Sequence, residues 1–143
     1  MQSWDGGIRL LPYADSEPEL TAWVCAIGSD FIDKEKAKEY LYGLLQDAEA
    51  TQRNVAYAYM GLAALKEPVL YDLRQLVAES NDWSLQDRMT LALSLSLAGD
   101  QTGARQWYQT NVLPKVKTNA QWAYIEGEDG YALTAQDVYK RQR

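Results

Sequence analysis

The sequence predicts an all-α protein built as a two-layer array of helical hairpins. Three observations carry that expectation. Six segments read as helices from their caps, breakers and apolar spacing. Segments with one apolar stripe alternate with segments apolar on every side, so outer and inner helices alternate along the chain. The inner segments LTAWVCAIG, VAYAYMGLAAL and TLALSLSLAG recur at about 35 residues, the range of stacked helical hairpins.

A glycine-rich leader over residues 1–15 precedes the first helix, expected at 17–27. Ser16 and Glu19 have capping-box spacing there, Pro18 falls in the first turn where its missing N–H is harmless, and Gly28 and Ser29 end the helix. The second helix, 33–48, starts at Asp33. It sets Ala37, Tyr40, Leu41, Leu44, Leu45 and Ala48 on one face and Lys and Glu on the other. The third, 51–65, is apolar around its whole axis and is expected to be buried on more than one side. Pro68 opens the fourth, 68–79, with a single stripe at Val69, Leu70, Leu73, Leu76 and Val77. Ser84 and Asp87 cap the fifth, 84–98, which Gly99 ends in the C′ role. The sixth, 102–113, carries Ala104, Trp107, Tyr108 and Val112 on its stripe and stops at Pro114. Bulky and small residues then alternate around EGEDG, which predicts a β-hairpin over 121–133 pairing 121–125 with 131–133. A lone hairpin is marginal in water, so this one should lie on the helices.

Composition excludes several function classes. A net charge of −6, with Lys and Arg scattered among Asp and Glu, argues against a nucleic-acid partner. No apolar run is long enough to predict a membrane-spanning segment, and the first residues carry no targeting signal. The chain has no histidine, so the commonest general base and zinc ligand are both missing. Gly6 and Gly7 are not followed by glycines at nucleotide-binding spacing, nor by a Gly-Lys-Ser, and are read as turn residues.

Cys25 is the one candidate nucleophile, and its apolar helical setting reads as a small buried hydrophobe. Acidic groups occur at Asp15 with Glu17, at Asp47 with Glu49, and at Glu126, Glu128 and Asp129. Helix ends and a hairpin turn explain them better than general acid–base work or a calcium site. Trp23, Tyr57, Tyr59, Trp107 and Tyr108 fall on expected core faces. Trp4, Tyr13, Trp83 and Trp122 fall near turns or strands, where they would cover seams between hairpins. The sequence therefore assigns no catalytic, cofactor-binding or metal-ligating residue, and no cofactor.

The stretch Asp5-Gly6-Gly7-Ile8, then Leu11-Pro12-Tyr13, then Leu20-Thr21-Ala22 resembles the leader into an inner helix of α/α-toroid domains. It is most similar to the thioester-type helical domain of bacterial alpha-2-macroglobulin-like proteins, and WAYIEGEDGYALTA looks like that family's strand pair. Prenyltransferases and triterpene cyclases share the toroid and its glycine-rich turns, but the cyclases' dense Asp-rich motif is absent here. The family's thioester joins a cysteine to a glutamine three residues later, whereas this chain reads Cys25-Ala26-Ile27-Gly28, so no thioester is expected.

The resemblance implies that residues 1–136 are part of an α/α-toroid domain. The parent would be a bacterial extracellular or cell-envelope protein that traps or inhibits proteases, or protects the cell surface. Its partners would be the remaining domains of the parent chain and target proteases. The alternatives are a fragment of a toroid-fold enzyme, terpene cyclase- or prenyltransferase-like, and a freestanding helical-repeat binding module. Residues 137–143 begin DVYKRQ, which resembles a translated sequencing adapter, so the natural sequence is expected to leave this frame near Gln136. Such a fragment would expose the apolar sides of residues 20–27, Trp122 and Tyr131, and should be marginally stable or associate.

Overall fold

The computed structural model describes residues 1–118, 121 and 123–125, and the chain is all-α as the sequence predicts. Six helices run α1 (Pro18–Ile27), α2 (Lys34–Gln46), α3 (Gln52–Ala64), α4 (Leu70–Ala78), α5 (Leu85–Leu97) and α6 (Gln101–Asn111). Two short strands, β1 (Val116–Thr118) and β2 (Ala123–Ile125), follow.

The inner row is α1–α3–α5, with α3 packed between the other two. On the outside, α2 lies against α3 and α1, while α4 and α6 lie against α5. This is the two-layer hairpin arrangement, and the burial pattern follows it. Seven of the thirteen residues of α3 are buried, Ala56, Tyr57, Ala58 and the run Met60 to Ala63, against Ala37 and Leu41 alone in α2. Near the start of α3, Arg53 bonds Gln86 and Asp87 at the start of α5. At the other end Lys66 Nζ reaches the Leu97 carbonyl, so α3 and α5 run parallel.

Each inner hairpin is punctuated locally. Asp33, Thr51, Ser84 and Asp100 are N-caps whose side chains accept the first free backbone N–H groups of α2, α3, α5 and α6. Helices α3 and α5 end in the same Schellman geometry. Glu67 N bonds Leu62 O and Lys66 N bonds Ala63 O, just as Asp100 N bonds Leu95 O and Gly99 N bonds Ser96 O. The left-handed position is Lys66 in one (φ 63°) and Gly99 in the other (φ 93°). A Cβ at Gly99 would meet no atom within 4 Å, so only backbone conformation opposes a side chain there. Gly99→Ala should therefore cost about 1 kcal/mol, read as a lower denaturant midpoint with an unchanged m-value.

Several sequence expectations need correction. Ser16 does not cap α1: Glu17 occupies the N-cap without a side-chain bond, and the Ser16 hydroxyl instead donates to Asp5 Oδ1. Pro68 does not open α4, which begins at Leu70 after Val69. Helices α1 to α5 are each one or two residues shorter than expected at one or both ends, α6 starts one residue earlier and ends two residues earlier, and Ala48 is exposed beyond α2. Trp23 and Tyr108, placed on core faces by periodicity, are 41% and 38% exposed. Within the hairpin expected over 121–133, Ala123–Ile125 is a strand, and it pairs antiparallel with Val116–Thr118, Lys117 opposite Tyr124, a partner the sequence does not predict. A strand of three residues such as Val116–Thr118 is too short to show a period in the sequence. Residues 131–133, Trp122, the acidic group Glu126 to Asp129 and the tail 137–143 lie outside the described residues.

The leader folds onto the first hairpin. Gln2 and Ile8 form an isolated antiparallel bridge. The Gln2 carboxamide accepts from Asp33 N and donates to Asp33 O and Gly6 O, which ties the leader to the start of α2. Ile8 N donates to the buried Thr21 hydroxyl, which in turn donates to Glu17 O. Gly6 is in the left-handed region (φ 91°), as its expected turn role requires. Gly7 is not; its lack of a side chain admits Ser16 and the Tyr40 ring, which a Cβ would approach to 2.5 and 2.9 Å.

Candidate functional site

A buried Thr, Ala and Cys commit one side of α1 to the array: Thr21 and Ala22 are 0% and Cys25 2% exposed. On a helix at 100° per residue, Leu20, Trp23 and Ile27 lie on the opposite side. Leu20 is half-buried, Trp23 is 41% exposed and Ile27 82%, and Phe31 in the next turn is 92% exposed. The side of an edge helix that faces water is thus apolar, which matches the expectation that this stretch is left without a neighbour. In the middle of the row the same all-round apolar character is satisfied, because α3 has an inner helix on each side. Fully covering a side chain such as Ile27 is worth about 1.5–3 kcal/mol, so this face carries an unfilled demand for packing.

The acids Glu17, Glu19 and Asp30 border that face and are exposed. Glu19 sits beside the Tyr57 hydroxyl at the start of the inner row, where burial is the main cause raising the Tyr57 pKa. Asp15 is exposed in the leader, and Asp47 closes a turn by accepting from Glu49 N. The structure therefore does not bring Asp15 and Glu17, or Asp47 and Glu49, into a shared cavity. Among the described residues, no group of three or more His, Cys, Asp or Glu side chains could hold a metal ion, and no helix is long and apolar enough to cross a membrane.

Cys25 is buried among Ala37, Leu41, Ala58 and Leu62. Burial pushes its thiol up to about 11, the wrong direction for a nucleophile at neutral pH. Alkylation of native Cys25 at pH 8 should be slower than that of the urea-unfolded chain by at least about 100-fold, measured by mass spectrometry. Because the unfolded thiol ionises first, this group withdraws stability as pH rises from 9 to about 11 and leaves it untouched below that window.

The remaining aromatics divide by position. Trp83 is buried at the seam between Leu73 and Leu91, and Trp107 donates its indole N–H to Arg88 O. Trp4 and Tyr13 instead stand 88% and 84% exposed on the leader. Apolar spacing alone puts Trp23 on a core face, because α1 has two apolar sides and only one of them finds a neighbour. A wheel centred on Thr21 and Cys25 separates them.

No protein-family model, curated protein or solved structure matches this chain.

Proposed function

We propose that the chain is a noncatalytic scaffold of helical hairpins that makes its protein contacts through the apolar edge of α1. The observation that carries this reading is the water-facing side of that helix, with Trp23 and Ile27 exposed opposite a committed core face. The occupant is a further inner helix of a larger parent chain, seated on α1 as α1 is seated on α3. The resemblance of the leader to alpha-2-macroglobulin-like proteins supplies the parent's role: a bacterial envelope or secreted protein that traps proteases or shields the surface. A buried, proton-holding Cys25 with glycine three residues later supports a scaffold without a thioester in this segment.

A freestanding helical-repeat module is the second reading. The matching caps and Schellman ends of α3 and α5, 33 positions apart at Thr51 and Ser84, favour it because they are the marks of a repeat. The genomic reading frame around this sequence tests the choice. Macroglobulin-type β-domains beside it are expected; a dense acidic catalytic motif in the same frame would overturn the scaffold reading.

A further inference from the structure

The inner row makes one kind of helix-to-helix joint twice, and counting from the N-caps Glu17, Thr51 and Ser84 aligns its three members. Five residues past each cap stand Ala22, Ala56 and Met89, and ten past it stand Ile27, Gly61 and Ser94. The fifth position faces the following inner helix. A Cβ added at Gly61 of α3 would lie 3.3 Å from the Ala22 Cα, and Ala56 clusters with Leu91 and Leu95 of α5. The tenth position faces the preceding helix, as Gly61 faces Ala22. Exposure follows from this alignment. Ala22 and Ala56, each with a following helix, are 0% exposed, whereas Met89 is 39% exposed. Gly61 and Ser94, each with a preceding helix, are buried, whereas Ile27 is 82% exposed. The row therefore ends in the two unmatched halves of the joint that it makes internally.

We propose that these halves join between copies of the chain: the α1 edge of one copy seats on the Met89 edge of α5 in a second copy, continuing the joint of α1 on α3 and of α3 on α5. This rests on the reading of α1 as a contact edge and names the surface that receives it when the chain is alone. Inside one copy both joints are parallel, with Glu19 beside Tyr57 and Arg53 bonded to Gln86 at the same end, and the joint between copies keeps that direction. Both halves are apolar at their centres. Trp23 and Ile27 supply one; Met89, with the half-buried Ala92 three residues on, supplies the other. Ile27 and Met89 are bulkier than the Gly61 and Ala56 they correspond to, so the two helices stand toward the wide end of the usual range of about 8–10 Å. Charge separates this pairing from a symmetric one. Two α1 edges set together would bring the exposed acids Glu17, Glu19 and Asp30 of both copies against each other. The α5 edge meets them with the uncharged Gln86, Ala92 and Ser96, and the one acid of α5, Asp87, is buried and paired with Arg53. Because the two halves differ, the contact is heterologous: copies add head to tail unless the assembly closes into a ring.

The test is sedimentation velocity of full chains with one edge blocked, alone and mixed. Trp23→Asp with Ile27→Asp blocks the α1 edge, and Met89→Asp blocks the α5 edge. Met89→Gln replaces the latter if its helical circular-dichroism signal falls. Every joint needs one edge of each kind, so either blocked chain alone is expected to associate at least about tenfold more weakly than the wild type. An equimolar mixture of the two is expected to form a 1:1 dimer that grows no further, because one chain keeps its α5 edge and the other its α1 edge. A mixture that stays monomeric would overturn the proposal. So would a Met89 variant that associates like the wild type while the α1-blocked chain does not; α1 would then be a contact edge that pairs elsewhere. A wild type that never associates would overturn this joint together with the α1 reading beneath it.

Discussion

Gly6→Ala is expected to destabilise the protein by about 3 kcal/mol, lowering the thermal midpoint by about 10 °C. Two independent causes add. The position has φ 91°, where an L side chain is strained, and an added Cβ would lie 2.0 Å from the Lys36 carbonyl oxygen in the backbone of α2. A backbone atom inside a helix cannot swing aside as a side-chain tip can. The leader would have to lift from α2, exposing Ile8 and loosening the Gln2 bonds to Asp33. Gly43→Ala is the matched control. It is exposed within α2, and a Cβ there would meet nothing within 4 Å, so it should stabilise the helix by about 0.5–1 kcal/mol. Opposite signs from the same substitution would separate a docked leader from a loose one. If both variants behaved like Gly43→Ala, the leader would not be packed on α2.

The second large effect is at the junction of α1, α2 and α3. Leu41 is fully buried, and its Cδ1 fills the notch above Gly61, where a Cβ would come within 2.6 Å. Leu41→Ala should cost about 3 kcal/mol, from lost burial and the cavity left behind. Gly61→Ala alone should also destabilise, by about 1–3 kcal/mol, because Leu41 must retreat and the Ala22 Cα stands at 3.3 Å. Combined, the two are expected to cost less than their sum by about 1–2 kcal/mol, since the new methyl enters the space that Leu41 vacates. Chemical denaturation of the four proteins of the cycle measures this directly. Strict additivity would mean that α2 does not seat Leu41 against Gly61.

The fold was legible where local chemistry and periodicity agreed. Asp33, Thr51, Ser84 and Asp100 each stand just before a periodic segment, and each is a cap. Val55 to Leu65 is apolar all round because it belongs to the middle helix of the inner row. Legibility failed where a distant residue took over a local signal. Ser16 has capping spacing, but Asp5, eleven residues away, accepts its hydroxyl. The strand Ala123–Ile125 has an upstream partner that only tertiary pairing reveals. The α1 edge was half legible: the unfilled side of residues 20–27 could be anticipated, while the assignment of Trp23 to the core could not survive the choice of Thr21 and Cys25 as the packed side.

Sedimentation velocity of the wild-type chain beside the Trp23→Asp, Ile27→Asp double variant, over a wide micromolar range, probes the α1 edge as an unfilled packing face. Both side chains face water, so the variant should keep the helical circular-dichroism signal. The wild type is expected to associate as concentration rises, and the variant to remain a monomer throughout. A wild type that stays monomeric at every concentration, or a variant that associates equally, would contradict the assignment of α1 as the contact surface.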